Sequence, residues 1–296
     1  GMAAVQVAIN PLLRVTGGEE HYAFNAALSQ IMFGMASFAS PLLYRYFISH
    51  GTMGIAPEGM TWVMMFWLFN GISLFAVLLI LAVKFPRVER TEDERTGAWA
   101  THLELLTQPV VWAFFLGVLA YVGLEQALSN WMSQFLVSVH GFDPQVEGAG
   151  AVAGFWGLMT VGCLLGLLLL KLLDSKIILI GFSILGLLAL TLALFGPRDY
   201  VLLAFPACGF ALSVMWSIVF SLALNSLPKN HGTFSGILCS GIVGGALFPL
   251  LVGNIGDAVG LRWGLCVIYL PLLYIASIGI WAKPLVKNQT FSAERT

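Results

Sequence analysis

The sequence has 296 residues, of which 58% are hydrophobic and 10% are charged, and its formal net charge is −1. Soluble domains contain about 25% charged residues, so this chain has too little polar surface for a soluble globule and is predicted to be an integral membrane protein. It has no basic tract, so no nucleic-acid partner is expected. Its cysteines stand singly in apolar stretches, so no disulfide framework, metal site or cofactor is expected. They are Cys163, Cys208, Cys239 and Cys266.

The long apolar runs of the chain predict membrane-spanning helices rather than barrel strands. Only helices and closed barrels can cross lipid, and a helical span needs about 20 apolar residues. The run 177–195 lacks the alternation of polar and apolar residues that barrel strands show. We therefore predict an all-α polytopic membrane protein.

The chain begins with an apolar stretch that is too short to cross a membrane. Residues 1–13, which precede Arg14, give about 20 Å of helix against a hydrocarbon core of about 30 Å. No charged n-region or cleavage site precedes this stretch, so it does not resemble a signal peptide. We interpret the sequence as a fragment that begins inside a helix.

Eight full spans are predicted after this short helix. Their boundaries, taken from the length of each apolar run, are 24–48, 60–83, 109–137, 148–171, 176–195, 200–226, 233–254 and 262–282. The longest hydrophilic stretch separates the second span from the third. We therefore expect the remainder of an N-terminal bundle over 1–85, a central loop over 86–108, a C-terminal six-helix bundle over 109–283 and a tail over 284–296.

Lysine and arginine are distributed unequally between the two sides of the predicted membrane. If the connector at Arg14 is cytoplasmic, eleven of the fourteen Lys and Arg residues lie on its side, and Arg45, Arg198 and Arg262 lie on the other. The positive-inside rule then predicts a cytoplasmic central loop and a cytoplasmic C-terminus. We expect a monomeric, multi-pass protein of the inner (cytoplasmic) membrane, in contact with the lipid bilayer.

The span 109–137 contains an ionisable side chain at depth, Glu125. A carboxylate at the bilayer centre costs roughly 2.5 to 3.5 kcal/mol, so such a residue is a candidate for function. On a helical wheel Glu125 shares one face with other polar residues, which are Gln126, Ser129, Asn130 and Ser133. The alternative is a neutral acid whose hydrogen bond ties two helices together.

A second polar stripe lies on the span 200–226, where four polar residues are each four positions apart: Ser213, Ser217, Ser221 and Asn225. Such a stripe lines either a cavity or a neighbouring helix, and serines also bond carbonyls of their own helix. Glycines on other spans are expected to let helix backbones approach closely. They are Gly162, Gly166, Gly241, Gly244 and Gly245.

These side chains are suited to binding a small polar solute inside the membrane. Sugar recognition uses planar hydrogen-bonding groups for the hydroxyls and aromatic faces for the C–H side of the ring. Asn, Gln, Trp and a single acid on facing helices supply such groups. Because they serve amino acids and drugs equally well, composition does not choose among these solutes.

Four local patterns resemble the fucose/glucose-galactose branch of the major facilitator superfamily. They are QVAINPLL from Gln6, YVGLEQALSNW from Tyr121, FWGLMTVG from Phe155, and FSLALNSLPKNHGTFSGILCSGIVGGALFPLLVG from Phe220. The resemblance implies a twelve-helix transporter of two six-helix halves that works by alternating access around a midplane site. On that template the chain covers the end of the fourth helix and the fifth to twelfth helices.

The resemblance also assigns individual positions. Gln6 and Asn10 match the fourth-helix motif, in which fucose-type proton symporters have a glutamate where Gln6 stands. Glu125 matches a seventh-helix position that is glutamine in those members and glutamate in glucose/galactose-like ones. Gln30 matches a glutamine of the fifth-helix pattern. Two positions depart from the pattern, since Phe33 replaces an asparagine and Cys163 replaces an arginine.

The sequence therefore predicts a secondary active transporter for a small sugar such as glucose, galactose or fucose. The residues expected to bind substrate are Gln6, Asn10, Gln30, Gln126, Asn130, Trp131 and Asn225. No Lys or Arg of the chain lies at the depth of Glu125. Burial therefore favours the protonated carboxyl, which suits it to carry a proton with the substrate.

Three alternatives stay open from the sequence alone. Glu125 beside Ser129 and carbonyl oxygens could hold Na⁺ instead of a proton, the solute could belong to another class, or the chain could be a truncated protein that does not transport. An enzyme is not expected, because intramembrane proteases and transferases need paired aspartates, an HExxH motif or a Ser-His pair at depth. This chain has one deep acid and no deep histidine.

Overall fold

The computed structural model describes residues 21–50, 61–82, 99–286 and Asn288. Within these ranges the regular elements are all helical, as predicted, and each of the eight predicted spans coincides with helical structure. Gln6, Asn10 and most of the central loop lie outside the described residues. In chain order the helices are α1 (Tyr22–His50), α2 (Thr61–Ala82), α3 (Trp99–Leu106), α4 (Pro109–His140), α5 (Ala149–Leu172), α6 (Ser175–Phe195), α7 (Arg198–Leu212), α8 (Met215–Leu224), α9 (His231–Ser240), α10 (Gly244–Val259), α11 (Leu261–Cys266) and α12 (Tyr269–Trp281).

Seven helical segments of the described chain are long and apolar enough to cross a membrane. Three of them contain two α-helices. A short turn joins α7 to α8 and α11 to α12, and the 3-10 helix Gly241–Val243 joins α9 to α10. Helix α1 is the predicted first span and has 29 residues, but it is not among the seven. Many large apolar side chains are exposed on the outer surfaces of these helices, as lipid-facing surfaces require. The chain is thus a multi-pass membrane protein.

The predicted span 200–226 is interrupted near its middle. Pro206 lies inside α7 without ending it, and the break comes at Ser213, where the Cys163 thiol of α5 donates to the Ser213 carbonyl at 3.2 Å. The Ser213 hydroxyl bonds the Phe210 carbonyl at 2.7 Å. These bonds from a neighbouring helix and from a side chain compete with the helical ladder. The break therefore coincides with a contact between distant parts of the sequence.

Helix α4 is the central element of the bundle. It packs against α10 along much of its length and also against α8, α9 and α12. Phe114, Leu124, Met132 and Phe135 of α4 are completely buried in the resulting core. Its C-terminal end is formed by Gly141, whose φ of 69° is left-handed. Because so many helices contact α4, a polar group on its buried face lies inside the bundle.

The glycines predicted to permit close packing lie at helix contacts. A β-carbon at Gly244 of α10 would meet the backbone of Leu119 on α4, 2.9 Å from the Leu119 carbonyl carbon. A β-carbon at Gly162 of α5 would lie 2.8 Å from the Phe210 carbonyl oxygen. Gly162 and Gly244 are therefore confirmed as positions where the backbones of two helices approach closely.

Helix α1 packs antiparallel along α5. Phe33 meets Trp156 edge to face with ring centroids 5.5 Å apart, and Gly34 lies against Thr160. At one end of the pair, the Lys171 ammonium group lies 3.4 Å from the His21 ring nitrogen Nδ1. With the domain boundaries predicted above, the contacts of α1 with α5 and with α8 join the two bundles.

The structure differs from the predicted central loop over 86–108 by forming α3 in its last part. Leu105 of α3 is buried, so the helix is held by packing of one apolar side chain against the bundle. Glu104 and Lys229 form an exposed ion pair at 3.9 Å, which contributes little to stability. The hydrophilic stretch is thus only partly irregular.

Candidate functional site

Glu125 lies inside the bundle and is only 5% exposed. The Tyr121 hydroxyl, one turn earlier on α4, donates to Glu125 Oε2 at 2.6 Å. The Gln126 amide donates to Glu125 Oε1 at 3.3 Å. Both carboxyl oxygens therefore have a donor, and both donors come from α4 itself.

The surroundings of this carboxyl contain no cationic partner in the part of the chain that the structure describes. The Tyr121 ring packs on Trp216 of α8 with centroids 5.8 Å apart, and Trp216 packs on Phe220 at 5.2 Å. Cys163 of α5 is near enough to interact electrostatically with Glu125. A carboxyl that is hydrogen-bonded but has no counter-charge can take up and release a proton without breaking an ion pair.

A cleft of about 630 Å³ opens one turn further along α4. Asn130 and Trp131 line it from α4, together with Gln134, and Asp257 lines it from α10. Asn130 is exposed to the cleft. The volume of the cleft lies within the range of small-molecule pockets. Along α4, about 7.5 Å of helix rise separates Glu125 from Asn130.

Trp131 holds one wall of the cleft in place. Its indole N–H donates to the Pro249 carbonyl at 2.8 Å, and a β-carbon at Gly253 would lie 2.7 Å from the ring. Pro249 lies inside α10, so this bond ties Trp131 of α4 to the neighbouring helix. Because its N–H is used, Trp131 can offer a ligand only its ring face.

The other predicted site residues are distributed over the bundle. The register of α1 on α5 places the half-buried Gln30 level with Leu164, next to Cys163 and thus at the depth of Glu125. Gln126 links Glu125 to α10, since a β-carbon at Gly245 would lie 3.0 Å from its side chain. Gln6 and Asn10 lie outside the described residues.

Asn225 is not brought together with the other predicted residues. It ends α8, about 13 Å of helix beyond Trp216, and its carbonyl accepts from Leu285 N at 2.7 Å near the end of α12. The four-residue spacing of the stripe on α8 shows which face these residues share but not how far each lies from Glu125.

Three residues of the site were not singled out by the sequence. Tyr121 stands four positions before Glu125, the spacing at which helical side chains meet. Gln134 follows Asn130 by the same spacing. Asp257 carried no such signal, because its place in the cleft depends on how α10 packs against α4.

Comparison with known proteins gives a family match over most of the chain. The family model described as Major Facilitator Superfamily matches residues 1–241. A glucose/galactose transporter of Brucella abortus is 28% identical over 292 residues, which cover 95% of this chain and 68% of that protein. The L-fucose-proton symporter of Escherichia coli is 22% identical over 288 residues, which cover 88% of this chain and 64% of the symporter.

Solved structures show a similar fold. The crystal structure of the E. coli fucose:proton symporter superposes with a TM-score of 0.78 at 19% identity, covering 94% of this chain and 73% of that chain. A bacterial homologue of the lysosomal transporter Spinster, in an inward-facing conformation, gives a TM-score of 0.52 at 15% identity, covering 87% of this chain and 67% of that chain.

Proposed function

This chain belongs to the Major Facilitator Superfamily, and on that premise we propose that it forms part of a secondary active transporter that moves a small sugar together with protons. The matched relatives are transporters rather than enzymes, which confirms the prediction that the chain is not an enzyme. The relatives carry glucose/galactose or fucose in their names, and this supports a sugar substrate here. Transport takes place by alternating access around a midplane site.

The observation that carries the proposal is the buried Glu125 carboxyl, which stands on the same helix as Asn130 and Trp131 of the cleft. Its two oxygens accept from Tyr121 and Gln126, and the described residues supply no positive charge to it. A proton neutralises the carboxyl while it is buried, and hydration on the opposite side of the membrane favours its release. Gln126 contacts Gly245 of α10, and a later part of α10 forms the opposite wall of the cleft. In this proposal protonation and substrate binding are coupled through α4 and α10.

The substrate site in this proposal is formed by the cleft beside α4. Asn130 and Gln134 supply amides for sugar hydroxyls, and the Trp131 ring supplies an apolar face. Gln30 does not line this cleft; in this proposal it contributes from the N-terminal bundle together with Gln6 and Asn10. Asn225 is left out, because its side chain lies at the other end of α8.

Substrate counterflow tests the sugar assignment. Vesicles that contain the native protein bearing this sequence are loaded with unlabelled glucose, galactose or fucose and diluted into the labelled sugar. We expect transient accumulation of at least one label without any ion gradient. Counterflow of only a non-sugar solute would contradict the assignment.

Asn130→Ala should weaken sugar binding. The variant leaves a sugar hydroxyl unpaired, which costs about 1 to 3 kcal/mol, or roughly fivefold to 150-fold in Kd. Asn254→Ala is the matched control, because Asn254 is exposed on α10 and bonds the Leu250 carbonyl of its own helix at 2.9 Å. Equal affinity of the two variants, measured by binding of the purified protein, would place the substrate elsewhere.

Tyr121→Phe should uncouple transport while the bundle stays folded. The variant keeps the ring contact with Trp216 but removes the hydroxyl that holds Glu125 at 2.6 Å. Loss of this bond costs about 1 to 3 kcal/mol, so proton-driven uptake should fall by roughly fivefold to 150-fold while counterflow persists. Tyr274→Phe is the control, since its hydroxyl donates to the Ala113 carbonyl at 2.8 Å. A similar loss of uptake in both variants would show that Tyr121 acts only in packing.

The orientation predicted from the charges can be tested by labelling single cysteines in intact cells. The structure places Lys176 at the end of the bundle near Ala282, and Arg198 at the opposite end near His140. We expect a cysteine at Lys283 to be protected from an impermeant reagent and a cysteine at Arg262 to react. The reverse pattern would invert the topology.

A further inference from the structure

A second cleft, of about 540 Å³, lies between α6, α8 and the segment after α12, at the end of the bundle that is predicted to be cytoplasmic. It is far from the Glu125 carboxyl and has no role in the transport proposal. Ser221 and Asn225 line its inner part, and Lys176 and Lys283 line its outer part.

The inner part of this cleft carries polar groups that the described residues leave without partners. Ser221 and Asn225 are each only 6% exposed. Neither side chain has a hydrogen-bond partner among the described residues. The polar atoms of both side chains nevertheless remain accessible to a small molecule. Their hydroxyl and amide groups therefore face the cleft. Two such groups, more than nine-tenths buried, indicate a ligand that bonds them.

The charges around the cleft favour an anion. The Lys176 ammonium group bonds the Ala282 carbonyl at 2.7 Å at the end of α12, and Lys283 is exposed. Asp174 is the acid of the cleft, and one of its oxygens already accepts from Lys176 N at 2.8 Å at the start of α6. The described lining of the cleft thus carries two ammonium groups and one carboxylate, so its net charge is positive.

The segment after α12 closes one side of the cleft. The Asn288 side chain donates to the carbonyls of Leu170 and Leu173, at 3.0 and 3.1 Å, and accepts from Ser175 N at 3.1 Å. Leu285 N donates to the Asn225 carbonyl at 2.7 Å. The walls are therefore held by hydrogen bonds within the protein itself.

The rim of the cleft is apolar. Ile177, 61% exposed, and Val286, 37% exposed, line it next to the lysines. Ile280, 75% exposed, continues this surface along α12. Ammonium groups beside exposed aliphatic side chains are the surroundings that a phosphate group meets at a membrane surface.

We propose that this cleft binds a phosphate-bearing anion, with the phosphate held by Lys176, Lys283, Ser221 and Asn225. The same chemistry is offered by the headgroup of an acidic phospholipid and by free phosphate. The apolar rim favours the phospholipid, whose first acyl carbons would contact Ile177 and Val286.

The test measures binding to the purified full chain in a non-ionic detergent. The probes are a short-chain phosphatidic acid, its zwitterionic phosphatidylcholine analogue and inorganic phosphate. The variants are Lys283→Gln and Lys229→Gln, which remove the same charge at the same end of the bundle. Lys229 is exposed outside the cleft and pairs with Glu104.

Because one Lys near an anionic surface contributes about 1 kcal/mol, Lys283→Gln should weaken phosphatidic acid binding on the order of fivefold, and Lys229→Gln should have less than about a twofold effect. Ser221→Ala should weaken it about twofold to tenfold. Competition by inorganic phosphate at similar affinity would assign the site to a free anion, and binding of the lipid alone would assign it to a headgroup. Equal effects of the two lysine variants, equal binding of phosphatidylcholine, or no binding of any probe would overturn the proposal.

Discussion

Glu125→Gln should abolish accumulation of sugar against its gradient while leaving sugar exchange intact. Glutamine keeps the size and hydrogen-bonding capacity of the protonated carboxyl, so Tyr121 and Gln126 retain a partner, but it cannot release a proton. In vesicles, an imposed gradient of one pH unit supplies about 1.4 kcal/mol per proton, enough for about tenfold accumulation. The variant should reach only equal concentrations on the two sides, with counterflow retained.

The matched control is Glu147→Gln. Glu147 lies in the turn after α4, where its carboxylate accepts from Asp143 N at 3.0 Å in an exposed position, so the same chemical change should leave accumulation unaltered. If Glu125→Gln accumulates sugar as well as the unmodified protein does, Glu125 is not the coupling acid. Its role would then be limited to the hydrogen bonds that it makes within α4.

Gly244→Ala is expected to destabilise the protein, because Gly244 is one of the glycines that meet the backbone of another helix. The added methyl group would meet the backbone of Leu119, which cannot rotate away as a side chain can. Overpacking of this kind costs about 1 to 3 kcal/mol, and α10 can relieve it only by moving away from α4. We expect a lower thermal midpoint and less monodisperse protein after purification.

Gly236→Ala on α9 gives the opposite expectation for the same substitution. A β-carbon there would meet no described atom within 4 Å, and replacing glycine by alanine inside a helix stabilises it by up to about 1 kcal/mol. A midpoint for Gly244→Ala at or above that of Gly236→Ala would show that α4 and α10 do not approach as closely as the structure has them.

Much of the fold follows from the sequence because lipid leaves few choices. The apolar runs had to be helices of spanning length, and Glu125 stood out because an acid at that depth is costly. The resemblance of four motifs then gave the superfamily, which the family match confirms. These inferences need only the local sequence and the knowledge that lipid surrounds the spans, which the composition of the chain indicates.

The predictions that needed long-range contacts were weaker. The break at Ser213 coincides with a bond from the Cys163 thiol, fifty positions earlier in the chain, and no local pattern shows that contact. Asn225 was predicted to bind substrate because it continues the stripe of serines on one helix face. In the structure the segment after α12 packs against Asn225. The stripe therefore ends in a different cleft from the one beside Glu125.

The same limit applies to Tyr121. Its spacing from Glu125 permits a contact on one helix, but Tyr121 was not singled out from the sequence, and its packing on Trp216 of α8 is a long-range contact. Asp257 reaches the Asn130 cleft only because Gly244 and Gly253 let α10 approach α4. The composition of the site was thus partly predictable, and its enclosure by neighbouring helices was not.

The most direct test of the central claim is sugar accumulation by the native protein in proteoliposomes with pH and sodium gradients imposed separately. Proton coupling through Glu125 predicts that a pH gradient, alkaline inside, drives accumulation of the sugar that shows counterflow, by about tenfold per pH unit for one proton per sugar. A sodium gradient at equal pH on both sides should drive none. Accumulation that follows the sodium gradient and ignores the pH gradient would contradict the account.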